Sequence, residues 1–136
     1  MMRVATRKMA ALARSALVAA GYRVRVIDHA AKSDIETALT VLATEAFVFI
    51  GHGEASFLID VNHENIQEWE MLEWLGARGD RSPRTLAVLW LFACRAGNMH
   101  GFPARNFFGV TDDLFFTWLS FDHRIRRHIE NYRQIP

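Results

Sequence analysis

The chain has 136 residues, 51% of them apolar, and a formal net charge of +1. That length suits one domain with a packed core and leaves little room for two. The near-neutral total gives no reason to expect attraction to nucleic acid or to a membrane surface. Cys94 is the single cysteine. It excludes an internal disulfide and with it a disulfide-stapled secreted fold, and a lone thiol points to a reducing compartment, the cytoplasm.

No apolar run approaches the roughly 20 residues that span a bilayer. The first 27 residues carry no acidic side chain, and Arg3, Arg7, Lys8 and Arg14 are basic. Arg14 interrupts any signal-peptide apolar run, while Met9, Leu12, Ala13, Ala16, Leu17 and Ala20 recur at helical spacing. An amphipathic helix over residues 6–20, ended by Gly21, is the first reading, and a removable targeting peptide the alternative. Residues 22–27 alternate Tyr22, Val24 and Val26 with arginines and predict a strand. Ser33 followed by Glu36 matches a capping box for a helix through Ile35, Leu39 and Leu42.

Residues 46–50 are a continuous apolar run bounded by Gly51, the pattern of a strand buried on both faces. Residues 57–60 predict a short extra strand. Ile66, Trp69, Leu72 and Leu75 predict a helix over 66–75, and residues 76–84 a polar loop. Residues 86–92 form a second fully apolar strand, 106–110 a last short one, and 112–132 a closing helix. Asp112 and Asp113 near its start, with Arg124, Arg126 and Arg127 further on, agree with the helix dipole. Trp69, Trp74, Trp90 and Trp118 are read as core. Helices alternating with continuous apolar strands imply an α/β fold with a small, mostly parallel sheet covered on both faces, a three-layer sandwich in one domain.

Ligands of such sheets bind beyond the carboxyl ends of the strands. Here 46–50 runs into Gly51-His52-Gly53, and 86–92 into Ala93-Cys94-Arg95-Ala96-Gly97. If the two strands are neighbours, their ends lie about 4.8 Å apart. An imidazole is then beside the only thiol. A free thiol titrates near pH 8.5, so it needs such a partner to act as a nucleophile at neutral pH. The backbone N–H groups of Gly53 and Cys94 would form an oxyanion hole, and Gly97 would permit a tight turn. Taken singly, a lone cysteine is ordinarily an inert core residue and a histidine after a strand an ordinary loop residue. The pair at two strand ends is more specific than either.

The strand Phe47-Val48-Phe49-Ile50 ending in Gly51-His52-Gly53, followed by Leu89-Trp90-Leu91-Phe92-Ala93-Cys94, resembles the two signatures of caspase-like (clan CD) cysteine peptidases. The Ala93-Cys94-Arg95-Ala96-Gly97 form is closer to bacterial caspase-like and CHAT-type domains than to animal caspases. The resemblance covers roughly residues 8 to 120. It implies a caspase-like sheet whose first strand has no counterpart in residues 1–5. It also implies His52 as general base, Cys94 as nucleophile, and Gly53 and Cys94 as oxyanion donors. The reaction would be hydrolysis of a protein or peptide substrate through a thioester, without metal or organic cofactor. The alternative is a catalytically inactive interaction domain that forms a homodimer or binds another protein. A weaker third reading is a flavodoxin-like ligand-binding domain.

Other residues carry less. His29, His63, His100, His123 and His128 lack paired ligand spacing for zinc. Glu54, Asp60, Asp112 and Asp113 are candidates to orient His52. Phe107, Phe108, Phe115 and Phe116 read as core or as a dimer edge. Arg124, Arg126, Arg127 and Arg133 read as a solvated helix end, or as a surface for an acidic partner. No phosphate loop of Walker or Rossmann form is present.

Overall fold

A strand that is apolar at every position needs cover on both faces, and residues 86–92 have it. The computed structural model describes residues 2–42, 44–78, 85–99, 101–114 and 122–133. The chain divides into an α/β unit, residues 27–113, and a helical unit made of Met1–Val26 and Leu114–Pro136.

In the α/β unit, α2 (Lys32–Leu39) precedes β1 (Ala46–Ile50), β2 (His52–Gly53), β3 (Phe57–Ile59) and β4 (Asn65–Gln67). There follow α3 (Glu68–Gly76), β5 (Leu86–Phe92), a short 3-10 turn (Ala96–Asn98) and β6 (Ala104–Phe108). The class is α/β. One sheet is parallel, in the order β1-β5-β6, with Phe47 beside Leu89 and Ile50 beside Phe92. A second, antiparallel sheet runs β2-β3-β4.

Successive strand residues point to opposite faces, so the apolar run divides by parity. Phe47, Phe49, Leu89 and Leu91 join Ile35 and Leu39 of α2 and Met71, Trp74 and Leu75 of α3 in one core. Trp90 and Phe92 take the other face, both fully buried. There the two rings stack 6.0 Å apart, and Phe92 meets Phe108 edge-on at 5.4 Å. The Trp90 indole N–H donates to Asn106 Oδ1 at 2.8 Å, which satisfies a polar atom on an otherwise apolar face.

In the helical unit, α1 (Met2–Ala19) and α4 (His123–Arg133) pack together. Met9, Ala13, Ala16 and Leu17 of α1 are buried at helical spacing, as are Ile125 and Ile129 of α4. Gly21, at φ 98°, ends α1 as expected. The Tyr22 N–H reaches the Leu17 carbonyl and the Gly21 N–H that of Val18, the double bond of a Schellman ending. Among the described residues no helix is long and apolar enough to cross a membrane.

Several expectations are corrected. Residues 22–27 are no strand: they join no ladder among the described residues, and Val26 and Ile27 are 53% and 37% exposed. Alternation supplies a face, but a strand exists only with a ladder partner. Ser33 is not the cap of α2. That position is Ala31, and the Lys32 N–H instead donates to the Asp60 carboxylate at 2.7 Å, a cap from a distant turn. Ile66 and Gln67 leave the predicted third helix and join Asn65 in β4, because strands of two or three residues show no periodicity. The last strand sits at 104–108 rather than 106–110, since the turn after Phe108 is held by Gly109 against Gly97. The closing helix does not start at Asp112. It starts after Asp122, whose carboxylate accepts the Arg124 N–H at 2.9 Å. Trp69 is not core but 63% exposed. Phe115, Phe116 and Trp118 lie outside the described residues.

Candidate functional site

The parallel pairing of β1 with β5 brings the two singled-out loops together. The last ladder bond runs from the Gly51 N–H to the Phe92 carbonyl, 3.2 Å. His52 lies two residues past Ile50, the end of β1, and Cys94 two residues past Phe92, the end of β5. Contact at this end is direct. A Cβ built on Gly53 would lie 2.8 Å from the Ala93 Cβ and 3.0 Å from the Cys94 carbonyl oxygen. Gly53 therefore rests on Ala93-Cys94, and only glycine permits the approach. The His52 side chain is exposed and Cys94 is partly buried.

After Ile50 the chain leaves the parallel sheet and becomes β2. Glu54 N–H donates to the Phe57 carbonyl at 2.9 Å, and Gly53 lies opposite Leu58. In an antiparallel ladder hydrogen-bonded and non-bonded pairs alternate. The Gly53–Leu58 pair is the non-bonded kind, so the Gly53 N–H points away from β3.

The turn after β5 is held from the end of β6. Arg95 sits in the left-handed region at φ 58°, and its N–H donates to the Asp112 carbonyl at 2.8 Å. Two residues on, the Gly97 N–H donates to the Val110 carbonyl at 2.7 Å. Gly97 and Gly109 meet with backbone against backbone, and a Cβ on Gly97 would lie 2.7 Å from the Val110 carbonyl carbon. The left-handed turn thus falls on Arg95, not on Gly97. Gly97 is needed for close approach instead. Three carboxyl strand ends, those of β1, β5 and β6, converge on Cys94.

The Arg95 guanidinium ties these loops. It lies 3.5 Å from the Glu54 carboxylate and 3.3 Å from that of Asp113. The side chains are about half exposed, so each pair is worth about 0–1 kcal/mol. Sequence reasoning passed over Arg95, because an arginine after a cysteine carries no signal until the loops that flank it are known.

Of the four carboxylates considered as orienting groups for His52, Glu54 and Asp113 are engaged by Arg95. Asp60 is buried in its own turn, where it accepts backbone N–H groups from Lys32, Asn62 and Glu64 at 2.7 to 2.9 Å. Desolvation pushes its carboxyl up, but these three donors and the nearby His63 outweigh that and hold it below the ordinary value. Asp112 contributes its carbonyl to Arg95. Among the described residues no side chain hydrogen-bonds the His52 imidazole.

The remaining histidines sit apart. His29 and His63 occupy left-handed turns, His123 opens α4 exposed, and His128 is partly buried in the helical unit. His100 lies outside the described residues. A shallow depression of about 350 Å³ opens between Lys32, Ser33, Glu36, Asn62 and Glu64. It includes neither His52 nor Cys94. Comparison with family models, curated proteins and solved structures gives no match for the chain.

Proposed function

We propose that the chain is a cysteine-type endopeptidase, or a close relative, of caspase-like architecture, with protein or peptide as substrate. The observation that carries this reading is the seating of Gly53, the residue after His52, against Ala93-Cys94 at the carboxyl ends of two adjacent parallel strands. His52 takes the thiol proton, and the Cys94 thiolate attacks the substrate carbonyl. The tetrahedral oxyanion is met by the N–H groups of Gly53 and Cys94. The imidazolium then protonates the leaving amine, and water releases the acyl group from the thioester. Cys94 is only partly buried, and a lone thiol nucleophile suits a reducing, cytoplasmic setting.

A catalytically silent interaction domain is the second reading. It is favoured by His52 lacking an orienting partner among the described residues and by the exposed Trp69, a large apolar group with no cover.

The deciding measurement is the alkylation rate of Cys94 against pH, in the unaltered protein and in His52→Ala. A rate midpoint well below the free-thiol value of about 8.5, moving upward in the variant, is the expected result. A slow rate unmoved by the substitution overturns the peptidase reading and leaves the interaction domain.

A further inference from the structure

The formal charge of +1 divides unequally over the fold. The helical unit holds ten Lys and Arg against two Asp and Glu, a formal +8. The α/β unit holds six against thirteen, a formal −7. Nine of the ten basic residues in the helical unit are arginine. Arg7 and Arg14 are exposed on α1, Arg23 and Arg25 on the segment that follows it, and Arg126 and Arg127 on α4. Of the two acids, Asp122 is buried and bound by the Arg124 guanidinium at 2.9 Å. Glu130 is the one that reaches the surface. Apart from Glu130, the described exposed charges of this unit are basic.

Three observations select its partner. First, arginine offers a rigid fork that binds phosphate oxygens in pairs, which a lysine ammonium does not. Second, an amphipathic helix that lies in a bilayer needs its apolar face free. Here Met9, Ala13, Ala16 and Leu17 are already buried, so an anionic membrane is disfavoured. Third, single strands are held by stacking on exposed aromatic planes. The described aromatics of this unit, Tyr22 and Tyr132, are partly buried and hydrogen-bonded to each other. Duplex DNA presents such phosphates along its whole length, one negative charge per about 1.7 Å of helix axis.

We propose that the helical unit is a docking surface for duplex DNA, bound through its phosphate backbone without sequence readout. The proposal is independent of the Cys94 chemistry, since none of its residues belongs to that site.

The test uses the full chain and a labelled 20-base-pair duplex in fluorescence anisotropy at several salt concentrations. Binding at about 50 mM salt is expected, with a log–log salt slope of about −4 or steeper. The fourfold variant Arg7→Gln, Arg14→Gln, Arg25→Gln, Arg127→Gln should weaken it at least tenfold and flatten the slope by about three. Arg105→Gln, in the other unit, should leave it unchanged. Absence of binding at low salt, or a fourfold variant that binds as before, overturns the proposal. So does equal or tighter binding to phosphatidylserine vesicles or to a polyglutamate peptide. Self-association in light scattering that DNA fails to displace would assign the surface to the acidic unit of a second copy, and also overturns it. If the variant does not fold, the salt slope of the unaltered chain decides, and a value shallower than about −3 counts against the proposal.

Discussion

Gly53 lies so near Ala93 and Cys94 that a single methyl group has no space. Both neighbours are stiff: one is an alanine Cβ and the other a backbone carbonyl oxygen. Gly53→Ala should therefore destabilise the protein by about 1–3 kcal/mol, the usual cost of overpacking. It should also change the alkylation rate of Cys94, because relief comes only by parting the two loops. Urea unfolding and thiol alkylation on the same variant check both. Stability lost with an unchanged alkylation rate would mean that the contact is structural alone. Gly51 is a contrast: its crowding comes from the Phe49 ring, the movable end of a side chain.

Between elements, Asp60 is a single joint for three pieces of backbone. It closes the β3–β4 turn through Asn62 and Glu64, and it caps α2 through Lys32. Lys32 in turn reaches the Glu70 carboxylate at 2.6 Å and the Asn65 carbonyl at 3.0 Å. Burial raises the Glu70 carboxyl, yet the Lys32 and Gln67 donors bring it below its ordinary value. At the far end of α2, the Arg78 side chain donates to the carbonyls of Leu39 and Thr44, and burial lowers its guanidinium pKa. Because Asp60 is held below 3.8, its contribution is fully present above that pH and is lost as pH falls through its depressed folded value. Asp60→Asn should lower the urea midpoint at pH 7, and the gap to the unaltered protein should close in acid below pH 3.8. A gap that stays constant with pH would show that the charge of Asp60 is immaterial.

At the scale of the whole molecule, the two units differ in charge sign and in what holds them. The α/β unit is built on two sheets with an extensive core, the helical unit, among its described residues, on two helices with a narrow seam. His128 lies on α4 in that second unit, and burial holds its imidazole below the ordinary value of 6.5. A group with a depressed folded pKa stabilises fully above the unfolded value and loses that contribution as pH falls. The helical unit should therefore weaken as pH drops below about 6.5, seen as falling amide protection in α1 and α4 while β5 stays protected. His128→Gln should remove that slope. Loss of protection in both units together, at the same pH, would mean that they unfold as one.

The apolar runs at 46–50 and 86–92 were legible because a strand buried on both faces has no polar position to confuse it. Gly21 and the buried stripe of α1 were legible because caps and 3.6-residue spacing are local. His52 and Cys94 were singled out by the same logic, as the first reactive groups beyond two such strands. What lay beyond reach was everything that depends on a partner distant in the chain. Residues 22–27 alternate correctly yet join no ladder, and the cap of α2 comes from Asp60. The left-handed turn after Cys94 falls on Arg95 because the end of β6 takes its N–H, and Glu54 and Asp113 gather around the same guanidinium. Charge shows the division most plainly. A total of +1 is a property of composition, but only the fold sorts those charges into a basic pair of helices and an acidic sheet unit, because electrostatic attraction depends on where charges stand and not on their sum.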